Sequence, residues 1–147
     1  MTKVMVFGTF DLLHKGHEHF LREAAGMGDE LVVVVARDST VRSVKRRNPV
    51  ESESERKNKL EKSGIAGRVL LGSAGDKYGV IRKERPDIIC LGYDQDSFTS
   101  GLERFLRDNG LKTDVVRLGA HRPDVFKTSI IRKSRKRKEA GENIRGS

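Results

Sequence analysis

The stretch Gly8-Thr9-Phe10-Asp11-Leu12-Leu13-His14-Lys15-Gly16-His17 decides the fold. Before it, Lys3 to Phe7 forms an apolar run that reads as a first buried strand. Gly8-Thr9-Phe10-Asp11 reads as a turn. After it, His17 to Met27 carries Phe20, Leu21, Ala24 and Ala25 at helical spacing, with Gly26 and Gly28 ending the helix. A strand that turns into a helix lets two imidazoles three residues apart face the same side. The helix start adds unpaired N–H groups and a partial positive charge, which together favour an anion. Gly16 brings no side chain, so a phosphate or ribose can approach the backbone. The stretch therefore reads as a cradle for a triphosphate, with imidazole N–H groups aimed at the phosphate that gains charge during reaction. Two structural histidines beside a helix cap are the plainer alternative; the strand–turn–helix placement favours the functional one.

Working outward, Glu30 to Ala36 is a continuous β-branched run, the pattern of a strand buried on both faces of a parallel sheet. Arg42 to Glu55 is polar, charged and broken by Pro49, so it is expected to be a mobile loop. A short helix over Glu55–Lys62, a strand over Arg68–Leu71, a helix over Tyr78–Glu84 and a strand over Asp87–Leu91 follow. Then come a helix over Leu102–Asn109, a strand over Asp114–Leu118 and, from Thr128, a terminal helix. Strands alternating with helices predict an α/β fold, a Rossmann-like doubly wound parallel sheet of about five strands. Ligands of such sheets sit beyond the carboxyl ends of the strands at the topological switch point, where Gly8–His17, Gly92–Asp96 and Gly119–Ser129 are expected to meet.

Composition bounds the rest. A chain of 147 residues fits one domain, which buries about 68–70% of its unfolded surface and needs no disulfide or metal to fold. Cys90, the one cysteine, lies in Ile88-Ile89-Cys90-Leu91 and reads as a buried structural thiol. That usage, the absence of a membrane-length apolar run and an N-terminus unlike a signal peptide point to a cytoplasmic protein without a membrane partner. The formal charge is +9, of which Arg132 to Ser147 supplies +5 and the preceding residues +4. The expected division is thus a catalytic domain over 1–131 and a basic helix or tail over 132–147.

Gly8 to His17 resembles the signature of the cytidylyltransferase-like nucleotidyltransferases, and the likeness runs to about Arg132. The resemblance implies attack by a substrate phosphate on the α-phosphorus of a nucleoside triphosphate, loss of pyrophosphate and help from a divalent cation, Mg²⁺ first. It implies that Thr9, Phe10, Lys15 and Gly16 line the nucleotide site and that His14 and His17 hold the phosphates. Glycerol-3-phosphate cytidylyltransferases share Gly-Thr-Phe-Asp-Leu-Leu-His, but their later Arg-Thr-Glu-Gly-Ile-Ser-Thr-Thr is replaced here by Arg122-Pro123-Asp124-Val125-Phe126-Lys127-Thr128-Ser129. Archaeal FAD synthetases are more similar, through Gly28 to Asp38, Arg85 to Gln95 and Phe126 to Ser129. That likeness implies an enzyme transferring AMP from ATP to FMN, with transfer of CMP to glycerol phosphate as the alternative.

The resemblance also implies that a Lys and an Arg from the polar loop close over the phosphates. Arg56 is the expected catalytic clamp, with Lys45 behind it. Asp94 is expected to bond the nucleotide sugar or base, against a turn cap. His121 reads as an adenine-stacking residue or a solvated loop histidine. Thr128 and Ser129 read equally as a helix N-cap or as part of the triphosphate site. No metal-ligating side chain is assigned, since Mg²⁺ held mainly by phosphate oxygens needs no carboxylate cluster. A homodimer through the region of the first helix is a further expectation. Arg132-Lys133-Ser134-Arg135-Lys136-Arg137-Lys138 leaves a nucleic-acid-binding module as the reading from another class. No aromatic interleaves that run, so base stacking is not favoured.

Overall fold

The computed structural model describes residues 1–73, 76, 78–92 and 101–118, and the backbone of 128–131. The elements are β1 (Lys3–Gly8), α1 (Lys15–Ala25), β2 (Glu30–Val35), α2 (Asp38–Lys45), α3 (Glu53–Ser63) and β3 (Arg68–Leu71). They continue with α4 (Gly79–Glu84), β4 (Ile88–Leu91), α5 (Leu102–Asp108), β5 (Asp114–Leu118) and β6 (Thr128–Ile131). One sheet of six strands runs in the order β3-β2-β1-β4-β5-β6. The first five are parallel, and β6 pairs antiparallel with β5.

The β-branched run explains the centre of this sheet. Leu31 to Val35 are all buried, and alternate residues feed opposite faces. Val4, Val6, Leu31, Val33 and Val35 pack with Leu21 and Ala24 of α1 and Leu60 of α3. Met5, Phe7, Val32 and Val34 pack on the other face with Val80 and Ile81 of α4 and Leu102 and Leu106 of α5. The sheet is therefore doubly wound, as expected. The strand order reverses between β1 and β4, which puts the crevice at the carboxyl end of β1, where the Gly8–His17 segment begins. Cys90 is fully buried, 3.5 Å from the Met27 sulfur, and burial pushes its thiol up to about 12.

Three expectations are corrected. The first helix begins at Lys15, not His17, because His14 itself is the N-cap. Part of the expected mobile loop is helix: α2 ends at Lys45, with Arg46 in the left-handed conformation as its cap, and Ser52 starts α3 through a capping box with Glu55. Val41 alone buries α2, which explains why periodicity missed it. Finally, Thr128–Ile131 is a strand rather than a helix start: three of its four residues are β-branched, and they pair with Val115 to Leu118.

At the opposite end of the strands, four charges cross the sheet. Lys3 Nζ lies 3.1 Å from Glu84, Glu84 also pairs with Arg68, and Arg68 Nε donates to Glu30 at 3.1 Å. Each residue begins a strand except Glu84, which ends α4, so the network ties the lower ends of β1, β2 and β3 to the helix that crosses them. No helix among the described residues is long and apolar enough to cross a membrane.

Candidate active site

The β1–α1 turn is under backbone strain. Phe10 and Leu12 have φ of 54° and 53°, the left-handed region that side chains with a Cβ rarely adopt. Such conformations cost on the order of 1–3 kcal/mol each and persist only where the surroundings over-determine them. Here the surroundings do. The Asp11 carboxylate accepts the amides of Val50 at 2.8 Å and Glu51 at 3.0 Å, and the Glu51 carboxylate accepts the Leu12 amide at 2.9 Å. Lys59 pairs with the other Glu51 oxygen. The turn and the segment entering α3 thus hold each other reciprocally.

Burial, the largest single effect on Asp11, raises its pKa, but the Val50 and Glu51 amides and the charges of Arg56 and Arg47 together hold it below 3.8. A depressed carboxylate contributes stability that is present above its unfolded pKa and is lost as pH falls through the folded one. The melting-temperature gap between the wild type and Asp11→Ala is therefore expected to narrow once pH drops below about 3.8. Thermal melts across that range check it, and a constant gap would contradict it.

From this turn the chain enters α1 with both histidines in the cap. His14 Nδ1 accepts the Gly16 amide at 3.0 Å, and His17 Nδ1 accepts the His14 amide at 3.2 Å. The rings stack, with centroids 3.7 Å apart and planes 22° from parallel. The structure thus brings His14, Lys15, Gly16 and His17 together at one helix start, with His14 and Lys15 exposed and His17 half-buried. Burial lowers the His17 pKa, His14 and Lys45 lower it further, and Asp11 opposes them.

Phe10 is 5% exposed; its ring meets His17 edge-on at 5.5 Å, so it supports that imidazole from the core. The same ring lies over Gly8, where a Cβ would come within 2.8 Å of it. Thr9 offers its backbone carbonyl inward.

The donor that meets this carbonyl is Arg56, and here the expected phosphate clamp is corrected. Arg56 is 0% exposed. It donates to the Thr9 carbonyl at 2.8 Å, the Glu51 carbonyl at 3.1 Å and Asp38 at 2.7 Å. A guanidinium committed to three protein acceptors in the interior positions the turn and does not reach a phosphate in this arrangement. The need for it follows from α3, whose sequence buries only Leu60 besides Arg56. One buried leucine contributes about 1.5–3 kcal/mol, little to dock eleven residues of such polarity.

Sequence reasoning missed the Asp11, Asp38 and Glu51 partners of this network; the bonds of Arg56 to Asp38 and Thr9 and of Asp11 to Glu51 span 18 to 47 residues and leave no local signal. Arg42, Arg46 and Arg47, with Asn48, line an open depression of about 500 Å³ at the end of α2. Asp94 and His121 lie outside the described residues, as does the tail from 132. Thr128 and Ser129 sit on β6 opposite Leu118 and Arg117.

The cytidylyltransferase-like family profile matches residues 5–134. The FAD synthase of Methanosarcina barkeri is 46% identical over 118 residues, covering 80% of this chain and 84% of its own. That of Thermococcus onnurineus is 43% identical over 131 residues, covering 88% and 87%. Among solved structures, the lipopolysaccharide core biosynthesis protein from Thermoplasma volcanium superposes with a TM-score of 0.78 at 39% identity, covering 83% of this chain and 99% of that one. Pantoate-beta-alanine ligase from Francisella tularensis shares the fold alone, with a TM-score of 0.60 at 13% identity, covering 87% of this chain and 63% of its own. The chain is a nucleotidyltransferase of the cytidylyltransferase-like family and belongs, within it, to the FAD synthases.

Proposed function

We propose that the chain transfers AMP from ATP to FMN. An oxygen of the FMN phosphate attacks the α-phosphorus of ATP, the bond to the bridging oxygen of the β-phosphate breaks, and pyrophosphate leaves with that electron pair. The observation that carries the reaction class is the imidazole pair at the start of α1, which sets N–H donors and the helix dipole at one anion site. The acceptor and the adenine base rest on the likeness to FAD synthases over most of the chain.

The FMN phosphate is already ionised near neutral pH, so the protein has mainly to position and neutralise two anions. Lys15 and Lys45 supply charge near the histidines, and the arginines after α2 supply more at the rim. A divalent cation would arrive on the triphosphate. Among the described residues no cluster of three metal-ligating side chains occurs, and both Asp11 oxygens are taken by backbone amides. A metal held by phosphate oxygens and water would there offset the triphosphate charge.

The test is a two-by-two assay of ATP or CTP against FMN or glycerol phosphate, with Mg²⁺ and chromatographic detection of products. FAD from ATP and FMN is the expected outcome. Turnover of CTP with glycerol phosphate, without FAD, overturns the proposal in favour of the cytidylyl reading.

A further inference from the structure

We infer that the exposed apolar side chains of Leu12, Val44 and Val50, with the arginines at the end of α2, form the seat of the flavin ring of FMN. The occupant rests on the adenylyl-transfer reading; the surface itself does not. Of the large hydrophobics left uncovered among the described residues, Met1 lies at the amino terminus and the other three lie here. Leu12 is 52% exposed, Val44 58% and Val50 69%. A single exposed leucine or valine needs no explanation, whereas a group of them beside a reaction centre does.

The backbone makes these residues neighbours. The Val50 amide donates to Asp11 at 2.8 Å and the Leu12 amide to Glu51 at 2.9 Å, so both side chains leave from one tie between the β1–α1 turn and the segment before α3. Val44 comes from the facing wall. It follows the buried Val41 by one helical turn, so the domain-facing stripe of α2 runs on past the part that the domain covers. Lys45, next in the chain, is close enough to His17 to act on its charge, and Arg47 acts likewise on Asp11. The last turn of α2 and the β1–α1 turn therefore border one opening, which Leu12 enters two residues before His14.

Charge selects the occupant. Arg42, Arg46 and Arg47 line the depression of about 500 Å³ here, a size within the range of about 300–1,000 Å³ that small ligands use. None of the three forms an ion pair among the described residues, whereas Arg37, Arg56 and Arg68 are each tied to a carboxylate. Cations at the end of a helix complement its dipole, but that leaves the uncovered leucine and valines without a purpose. The ligand that suits both features is flat and apolar in its body, rich in acceptors along one edge and anionic at one end. FMN is such a molecule. Its phosphate points to the start of α1, its methylated ring covers Leu12, Val44 and Val50, and its pyrimidine carbonyls meet guanidinium groups, which also stack on flat rings. Glycerol phosphate has no ring to cover the apolar group.

The experiment titrates FMN with the full chain, without ATP, and reads the quenching of flavin fluorescence; FAD formation with ATP and Mg²⁺ is followed in parallel. One variant combines Leu12→Asn with Val50→Ser, the other Arg46→Asn with Arg47→Gln. Asparagine tolerates the left-handed backbone that Leu12 and Arg46 hold, so both variants are expected to keep the melting temperature. Each is expected to weaken FMN binding tenfold or more and to raise KM for FMN alike, with KM for ATP changing less than threefold. Riboflavin, which lacks the phosphate, is expected to bind the wild type and to lose affinity by a similar factor in the first variant. FMN affinity within threefold of wild type in the first variant overturns the inference. So does a rise in KM for ATP instead of FMN in the second, which would turn the arginines toward the triphosphate. Variants that keep FMN affinity but lose binding to phosphatidylserine vesicles, or lose a dimer in sedimentation, would give the surface to a lipid or a second copy and equally overturn it. Because binding is read without turnover, flavin binding without FAD counts against the adenylyl-transfer reading alone.

Discussion

The His17→Ala variant is expected to make FAD about 10²- to 10³-fold more slowly than the wild type at saturating ATP and FMN, the loss typical of removing one preorganised donor to a developing charge. In the proposed reaction the effect is expected on kcat, because such a donor would strengthen as the α-phosphate gains charge, whereas lysines and the helix end would still hold the triphosphate. Folding suffers much less. The substitution removes one reciprocal cap bond and the edge contact with Phe10, which together are worth on the order of 1–2 kcal/mol. Steady-state rates beside thermal melts check both halves. A kcat within tenfold of wild type would remove His17 from the chemistry.

Arg56→Met is expected to cost more stability than His17→Ala. Removing one partner of a buried ion pair leaves the other uncompensated and costs about 3–5 kcal/mol. Here it also strips the Thr9 and Glu51 carbonyls of a donor each. With a few degrees of melting temperature per kcal/mol for a chain of this size, a fall of roughly 10 °C or more is expected. The two roles considered for Arg56 separate cleanly in this experiment. A phosphate clamp would raise KM for ATP and leave the melting temperature alone; a buried tie lowers the melting temperature first and slows catalysis through the turn it holds. A cycle with Asp38→Asn then isolates the share carried by the 2.7 Å pair, since neighbours in one network do not add.

The contrast between these residues shows what was legible in the chain. The β-branched run Leu31 to Val35 announced a doubly buried parallel strand, and it is one. The histidines were readable because cap, glycine and spacing lie within four residues, so local geometry decides where the rings go. Arg56 was readable as an important charge and misread in its role, since its position beside a basic loop says nothing of whether it faces water. That depends on Thr9 and Asp38, distant in sequence and brought close only when β1 and β2 lie side by side. The β6 segment failed for a different reason. Thr-Ser is a good helix start on local propensity, and pairing with β5 overrides it.

The direction of β6 has one more consequence. A sixth parallel strand would have ended at the same edge as the reaction centre. Running antiparallel, the chain instead passes Leu118 first and leaves beside Val115, near the start of β5. Ile131 thus lies toward the floor of the domain rather than its mouth. For anyone grafting a reporter onto the domain, Ile131 is an attachment point on the side away from the β1–α1 turn.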